Sequence, residues 1–594
     1  MKELEYPFDS DWILKNSKKI RKQLLSEKTE LISKKIAVLG GSTTHDMIRI
    51  MELFLLNYGI KAEFYESEYN MYWQDAMFDN VQLQQFAPDI IYIHTSLRNI
   101  QEHPLIEESR QSIEQKEQNV YEHFHVMWDK LKEKYRCPII QNNFEHPSYR
   151  LLGNKDVSDI HGYTHFVNQL NERFYQYAQT QDDFYINDIQ YLSASYGLSK
   201  WSDPLYWHMY KYCLCMQAIP ELSFNISNIV KSIYGKNRKA LVLDLDNTLW
   251  GGVIGDDGAS NIEIGQETSV GQVFSEFQSY IKEQKQLGIL LNVNSKNDLQ
   301  NALDGLNHPE SILHPDDFIC LKANWESKDR NLMDIETELN LMENAFVFVD
   351  DNPAEREIIN MSMPAVSAPQ LGQPEDYIRV LDRNAYFEVT KFSHDDMERT
   401  KMYKENLERS REEKTFTDYK EYLHSLDMHA VIRPFESVYM ARIAQLTNKS
   451  NQFNLTTKRY TQSDIERMAQ DPAYITLYGK LEDKFGDNGV VSVLAGRKEE
   501  NVLHLDLWLM SCRVLKRDME YAMMDTLVKI CKEEHITKIR GYYYPTSKNS
   551  MVKNFYELQG FSKEDEDADG NTTWLYEVSG DTKLRNEVIR VNAE

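Results

Sequence analysis

Three short and largely apolar runs, each followed within two residues by an acidic or hydroxyl residue, constrain the fold of this chain more than any other feature. They span residues 241–243, 289–293 and 346–349, and helix-length polar segments separate them. Such runs are typical of parallel strands that are buried on both faces. Because the carboxyl ends of parallel strands meet at one edge of a sheet, the pattern predicts an α/β core whose functional site lies at that edge.

The first run ends in a pair of carboxylates. Asp244 and Asp246 stand two residues apart, and the two-residue period of a strand directs both side chains to the same side. Two carboxylates this close cannot both ionise freely, so their pKa values separate. One is then available to attack phosphorus while the other holds a proton for the leaving group, and a bound Mg²⁺ would reduce their repulsion.

Further polar residues follow the other two runs. Ser295 ends the second run and offers a hydroxyl, and Lys328 supplies a cation for a transferred phosphoryl group. Asp350 and Asp351 follow the third run and offer more oxygen ligands for Mg²⁺. The alternative is that the first acidic pair is a solvated turn and the second a helix N-cap. This alternative can explain any one of the motifs by itself, but it does not explain why all four occur in this order.

These four elements resemble the four motifs of the haloacid dehalogenase superfamily. The resemblance implies a Rossmann-like core over residues 236–385, with Asp244 as the nucleophile and Asp246 as the general acid and base. It also implies that Ser295 and Lys328 stabilise the phosphoryl group.

The same resemblance implies a Mg²⁺ site. Its ligands would be Asp244, the main-chain carbonyl of Asp246, and Asp351, with Asp350 either sharing the role of Asp351 or supporting it. Only 48 residues lie between Asp246 and Ser295, which leaves no room for a large lid. We therefore expect that another domain covers the site or that the substrate is bulky, such as a carrier-bound group.

The flanking segments narrow the resemblance to the FkbH-like subfamily. They are residues 249–258, 350–357, 451–457, 483–489, 508–515 and 544–549. The resemblance implies relatives that take a glyceryl group from 1,3-bisphosphoglycerate, remove phosphate and pass glyceryl to an acyl carrier protein. Other relatives belong to surface-polysaccharide settings. We therefore expect a Mg²⁺-dependent phosphatase or phosphotransferase that acts on a phosphorylated glyceryl or sugar metabolite, with a carrier protein as a candidate partner.

A strand-rich third domain is expected over residues 428–594, after a helical connector over 386–427. It resembles an N-acetyltransferase (GNAT-like) α+β fold, most clearly at residues 541–561. Lys516 and Asp518 stand where a pyrophosphate-binding loop needs glycine, which argues against acetyl-CoA binding. Cys512 is a candidate acyl-bearing thiol, with Arg513 lowering its pKa, or else a buried core cysteine.

The first domain is expected over residues 1–235, with an SGNH hydrolase-like α/β fold. Ser42 follows two glycines, as in the nucleophile turn of those enzymes, and Asp203 and His208 resemble their Asp–His segment at a changed spacing. Asn143 is a candidate for an oxyanion site. The changed spacing favours the alternative that this is a degenerate fold used for packing or for covering the phosphatase site.

Composition limits the classes of function. The net charge of −26 disfavours nonspecific binding to nucleic acid. The sequence contains no apolar stretch of signal-peptide or membrane-span length and no CxxC pair, which predicts a cytoplasmic protein. The alternative to an enzyme is a non-catalytic scaffold that binds a carrier protein or a phosphosugar in surface-polysaccharide synthesis.

Overall fold

The computed structural model describes residues 1–27, 31–450, 452–546, 548–579 and 584–592, without the side chain of Lys449. Asn451 and Ser547, each part of a motif named above, lie outside the described residues. The chain divides into two compact units, Met1–Ile233 with Thr461–Ser463, and Tyr234–Tyr460 with Asp464–Glu594. The boundaries predicted at residues 386 and 428 fall inside the second unit and stay predictions.

The first unit is built on a five-stranded parallel sheet in the order β2-β1-β3-β4-β5. Its inner strands are buried along most of their length, whereas the edge strand β2 is only partly buried. The strands are β1 (Ile32–Gly40), β2 (Ile60–Glu66), β3 (Ile90–His94), β4 (Ile139–Asn142) and β5 (Phe184–Asn187). The helices are α1 (Ser10–Glu27), α2 (His45–Asn57), α3 (Tyr72–Met77), α4 (Val81–Phe86), α5 (Arg110–Tyr135), α6 (Tyr163–Gln179), α7 (Ile189–Tyr196), α8 (Leu198–Trp201), α9 (Pro204–Tyr210) and α10 (Ile219–Ile233).

The second unit begins with a four-stranded parallel sheet in the order β8-β7-β6-β9. The strands are β6 (Ala240–Leu243), β7 (Leu290–Ser295), β8 (Cys320–Ala323) and β9 (Phe346–Val349). Its helices are α11 (Ile254–Asp257), α12 (Ser269–Gln286), α13 (Leu299–Leu306), α14 (Lys328–Leu339), α15 (Pro353–Ser362) and α16 (Tyr377–Arg383).

Strand β6 shows why this sheet forms. Leu241 and Leu243 pack in the apolar cluster on one face, whereas Ala240 and Val242 pack in the cluster on the other. All four are buried, so the strand cannot serve as a half-exposed edge, and β7 and β9 pair with it on either side. The shared register brings the carboxyl ends of these strands to one edge, as the sequence predicts.

Three further helices, α17 (His394–Met397), α18 (Arg399–Glu413) and α19 (Tyr419–Ser425), follow this core. The rest is an α+β fold on a mixed eight-stranded sheet in the order β15-β16-β14-β13-β12-β11-β10-β17. The strands are β10 (Met428–Arg433), β11 (Tyr474–Asp483), β12 (Gly486–Glu499), β13 (Val502–Met510), β14 (Lys538–Tyr543), β15 (Ser562–Glu566), β16 (Thr572–Glu577) and β17 (Ile589–Asn592). The helices are α20 (Met440–Lys449), α21 (Gln462–Gln470), α22 (Met519–Glu533) and α23 (Phe555–Leu558).

A buried ion cluster joins α18 to this sheet. Arg409 on α18 donates from Nη2 to Asp483 Oδ1 at 2.8 Å, and Arg517 donates to Asp483 Oδ2 at 3.1 Å. Arg409 and Asp483 are buried, so the pair is held in a low-dielectric environment where each charge needs the other. The predicted helical connector therefore has one side that is part of the core.

None of the helices in the described part of the chain is long and apolar enough to cross a membrane.

Candidate active site

Three elements of the second unit bring four charged residues together at the carboxyl edge of its parallel sheet. Asp244 follows β6, Lys328 begins α14, and Asp350 and Asp351 follow β9. Lys328 Nζ lies 2.9 Å from Asp244 Oδ1 and 2.5 Å from Asp350 Oδ2. One carboxylate oxygen from each of the three aspartates lies within 4.8 Å of the others. The residues that the sequence singles out are therefore adjacent in the folded chain.

Burial and charge act together on this cluster. Burial lowers the pKa of Lys328, but Asp244 and Asp350 outweigh it and raise that pKa above its ordinary value. Burial, and then the charge of Asp244, raise the pKa of Asp350 to about 6. The same two causes raise the pKa of Asp351. One ammonium thus faces three carboxylates, and the excess of negative charge disfavours full ionisation.

The donor set fits a hard divalent cation. Asp244 Oδ1 lies within ion-pair distance of Lys328 but accepts no hydrogen bond of good geometry, although it is buried. Asp351 is half-buried and forms no ion pair in the described part of the chain. Carboxylate oxygens in this arrangement suit a cation such as Mg²⁺, whose charge would balance theirs.

Asp246 is held apart from this group by its own hydrogen bonds. Its Oδ1 accepts from Trp250 Nε1 at 2.9 Å and from the Ile254 amide at 3.1 Å, and its Oδ2 accepts from Asn297 Nδ2 at 3.0 Å. Burial raises the pKa of Asp246, and these donors oppose the rise. Trp250 and Asn297 are functional residues that sequence reasoning missed, although both lie within four residues of a predicted site residue.

Ser295 ends β7 beside this group and is buried. Its neighbour Asn294 donates from Nδ2 to the carbonyl of Lys328 at 2.7 Å, and Asn331 Nδ2 donates to Asn294 Oδ1 at 3.2 Å. These two buried amides fix the start of α14 against β7. They position Lys328, and their only sequence signal is polar residues inside an otherwise apolar strand and helix face.

Cys512 lies at the other end of the same sheet. Asn340, which ends α14, donates from Nδ2 to the Cys512 carbonyl at 3.2 Å, whereas Lys328 begins that helix. Twelve helical residues at about 1.5 Å each separate the two ends by roughly 18 Å. The structure therefore does not bring Cys512 to the site around Asp244.

In the first unit, Ser42 has partners other than those predicted. Its Oγ donates to Cys213 Sγ at 3.3 Å, and that sulfur lies 3.4 Å from His94 Nε2. Burial lowers the pKa of His94 to about 4 and raises that of Cys213 to about 12. Both groups are thus neutral near pH 7. Sequence reasoning missed His94 and Cys213 because they come from segments distant from Ser42.

The remaining predicted residues of the first unit have local structural roles. Asp203 caps α9 by accepting from the Leu205 amide at 2.8 Å, and His208 is exposed on that helix. Asn143 donates to the Tyr175 hydroxyl at 2.8 Å and to Asp188 at 2.7 Å. No contact of Ser42 with Asp203 or His208 occurs among the described residues, so the predicted triad is not assembled in this structure.

The loop before α22 adopts the shape of a glycine-rich turn without glycine. Lys516 has a φ of 65° and Asp518 a φ of 60°, both in the left-handed region. Burial raises the pKa of Asp518 and raises that of Glu520 to about 7. Carboxylates therefore lie where an incoming anion would need amide donors, in keeping with the argument against acetyl-CoA.

Parts of this chain are similar to known proteins. A family model described as FkbH, N-terminal domain, matches residues 35–231, which is less than half of the chain. A solved structure of the N-terminal part of the protein BF1531 from Bacteroides fragilis contains a phosphatase domain complexed with Mg. It is 29% identical to this chain, with a TM-score of 0.58, and the alignment covers 64% of this chain and 99% of that one.

Two acetyltransferase structures match smaller parts of the chain. The ribosomal-protein-S18-alanine N-acetyltransferase of Escherichia coli is 10% identical over 27% of this chain and 99% of its own, with a TM-score of 0.21. Ard1 of Thermoplasma volcanium is 20% identical over 25% of this chain and 98% of its own, with a TM-score of 0.20. The comparison with curated proteins gives no match.

The fold is a mixed α/β fold with parallel sheets, and an acidic cluster lies at the carboxyl edge of the second sheet. This chain is similar to the FkbH N-terminal domain over residues 35–231 and to a solved structure that contains a Mg-bound phosphatase domain.

Proposed function

We propose that this chain is a Mg²⁺-dependent phosphatase or phosphotransferase that acts through a phosphorylated Asp244. The observation that carries the proposal is the buried group of Asp244, Lys328, Asp350 and Asp351 at the carboxyl edge of the sheet. The Mg-bound phosphatase domain of the Bacteroides fragilis protein supports the choice of metal. Asp244 and Asp351 would hold the ion with Asp350 beside them, and when bound it would neutralise charge on the phosphoryl oxygens.

The first half of the reaction transfers the phosphoryl group to the enzyme. A carboxylate oxygen of Asp244 forms a bond to phosphorus, and the bond from phosphorus to the leaving oxygen breaks. Asp246 gives its proton to that oxygen, so an alcohol leaves. Lys328, already 2.9 Å from Asp244, balances the charge of the phosphoryl group. Ser295 donates a hydrogen bond from its hydroxyl to a phosphoryl oxygen.

The second half restores the enzyme. Asp246, now ionised, takes a proton from a water that attacks phosphorus, and the bond between phosphorus and the Asp244 oxygen breaks. Inorganic phosphate leaves, and Asp246 is again protonated. If an alcohol other than water attacks, the same steps make the enzyme a phosphotransferase.

Turnover of p-nitrophenyl phosphate tests the proposal. With Mg²⁺ present, wild type releases phosphate, whereas Asp244→Asn does not, and Asp304→Asn, a change of an acidic residue exposed on α13, serves as the matched control. Asp246→Asn should accumulate the phosphorylated enzyme, visible by intact mass. Unchanged turnover in Asp244→Asn overturns the assignment, and tight binding of phosphorylated metabolites without any turnover would instead support a scaffold.

A phosphorylated glyceryl or sugar metabolite is the proposed substrate class, with transfer of a glyceryl group to a carrier protein as the finer proposal. The FkbH family match supports it. Since Cys512 lies about a helix length from Lys328, a glyceryl group on that thiol would have to be loaded away from Asp244. Intact mass after incubation with 1,3-bisphosphoglycerate, in wild type and Cys512→Ser, tests this: an adduct only in wild type supports the carrier route, and none favours a soluble product.

A further inference from the structure

An exposed tryptophan stands beside the proposed phosphoryl site. Trp325 belongs to the loop after β8, three residues before Lys328, and 73% of its surface is accessible. Its ring is nevertheless fixed, because Nε1 donates to Asp298 Oδ1 at 2.8 Å. A single exposed apolar side chain is common in proteins. Trp325 differs because a hydrogen bond holds it at the sheet edge where the proposed site lies, and core packing does not explain that position.

Asp298 gives up its ordinary role to hold this ring. It is the N-cap residue of α13, a position where aspartate usually accepts from the first amides of its own helix. Its side chain makes no such bond and accepts from Trp325 instead. The geometry of the loop therefore favours the contact with Trp325 over a better-capped helix.

A series of short contacts runs from this ring to Asp246. The Asp298 amide donates to Asn297 Oδ1 at 3.0 Å, and Asn297 Nδ2 donates to Asp246 Oδ2 at 3.0 Å. Asn297 is buried, so its amide has little freedom to move independently. These contacts link the ring of Trp325 to the carboxylate of Asp246.

The two oxygens of this carboxylate differ in their contacts. Oδ1 accepts from two donors, Trp250 Nε1 and the Ile254 amide, whereas among the described residues Oδ2 accepts from Asn297. Asn297 is therefore the contact that positions Oδ2, and Asp298 and Trp325 lie directly behind it.

We propose that Trp325 packs against the apolar face of the substrate's leaving group and, through Asp298 and Asn297, positions Asp246 for proton transfer. The proposal rests on the phosphatase function proposed above. Val253 and Leu299, exposed by 40% and 53%, adjoin Ile254 and Asp298 in the chain, so the segments that contact Asp246 and Trp325 carry further exposed apolar side chains. The leaving group is therefore expected to present an apolar face to Trp325.

Two aryl phosphates of nearly equal shape separate this role from a structural one. p-Nitrophenolate leaves without help, whereas phenol needs a proton, so the first half of the reaction depends strongly on Asp246 only for phenyl phosphate. The second half is the same for both compounds, so kcat/KM, which reports the first half, is the value to compare. Trp325→Phe keeps an aromatic face but removes the N–H donor. It should lower kcat/KM for phenyl phosphate about tenfold relative to p-nitrophenyl phosphate, a fraction of the full effect of general acid catalysis.

Two more variants and a control complete the experiment. Asp298→Ala should give the same change in ratio, and Trp325→Leu should also raise KM for both compounds. Met361→Ala, on α15 and 78% exposed, is the control and should change neither value. If wild type hydrolyses neither compound, the phosphatase proposal fails. If wild type is active and the ratio is unchanged in both Trp325→Phe and Asp298→Ala, the role of Trp325 alone is overturned.

Discussion

Lys328 Nζ lies 2.9 Å from Asp244 Oδ1, and the two side chains are almost fully buried. This ammonium also pairs with Asp350, so one cation compensates two buried carboxylates. A buried ion pair contributes little net stability, but removing one partner leaves an uncompensated charge in a low-dielectric site. The site is thus stable only while this lysine, or a bound cation, is present.

Replacing Lys328 by methionine should therefore affect both stability and turnover. We expect metal-free Lys328→Met to lose about 3–5 kcal/mol of unfolding free energy, the usual cost of breaking a buried pair. Its kcat for p-nitrophenyl phosphate should fall about 100-fold or more, since a charged donor to the phosphoryl group is lost. Urea unfolding in EDTA and steady-state kinetics measure the two effects, and full activity in this variant would contradict the assigned role.

Added Mg²⁺ should raise the thermal unfolding midpoint of wild type. A ligand present at 100 times its dissociation constant stabilises the folded state by about 2.7 kcal/mol. Asp351→Asn should lose most of that increase, because the substitution removes the negative charge of a half-buried carboxylate that is proposed to bind Mg²⁺. Asp244→Asn is the positive control, and an undiminished Mg²⁺ effect in Asp351→Asn would shift the ligand role to Asp350.

Arg409 and Asp483 should be a stability determinant of the second unit. Both are buried, and Arg409 donates to Asp483 at 2.8 Å. Among the described residues, Arg409→Met leaves Arg517 as the cation that pairs with Asp483. We therefore expect the free energy of unfolding to fall by about 3–5 kcal/mol. Lys484→Met, which removes a more exposed ion pair with Glu412, should cost less than about 1 kcal/mol. Equal effects of the two substitutions in urea unfolding would argue against a role for burial.

The stability of the first unit should depend on the ionisation of Glu145. Burial raises the pKa of this carboxyl to about 7, above its ordinary value of 4.5. The unfolded chain therefore loses the proton first, and rising pH favours unfolding between about 4.5 and 7. Glu145→Gln keeps an oxygen that accepts from the Leu97 amide but does not ionise. The free energy of unfolding of Glu145→Gln should exceed that of wild type by near zero at pH 4.5 and by roughly 3 kcal/mol at pH 8.

Urea unfolding at several pH values measures that gain. Glu117→Gln, whose carboxyl is less buried, provides a comparison in the same unit. A gain that is independent of pH would show that the substitution acts through packing or hydrogen bonding and not through ionisation.

The central fold was predictable because its signal is local. The runs before Asp244 and Asp350 are too apolar and too short to be anything but buried strands, and parallel strands align their polar ends. That alone places Asp244 and Asp350 at the same edge of the sheet, whereas Lys328 follows no predicted strand and was assigned from the order of the motifs. The contact between Asn297 and Asp246 was not predictable, because 51 residues separate them and an asparagine after a strand has many other uses.

The first unit shows the opposite case. Asp203 and His208 match a familiar pattern in the sequence, but in the structure Ser42 meets Cys213, a residue 171 positions away. Pattern matching compares spacing along the chain, whereas a hydrogen bond requires proximity in space.

The sequence by itself determined that this chain has a parallel α/β core with acidic residues at the ends of its strands, because apolar runs and the polar residues that end them are local properties. Only the tertiary structure decided which residues support those at the site: Asn294 and Asn331 behind Lys328, and Asn297, Asp298 and Trp325 behind Asp246. It also decided that Cys512 lies at the far end of α14. These relationships depend on how separate segments pack, and long-range packing leaves no periodic signal in a single sequence.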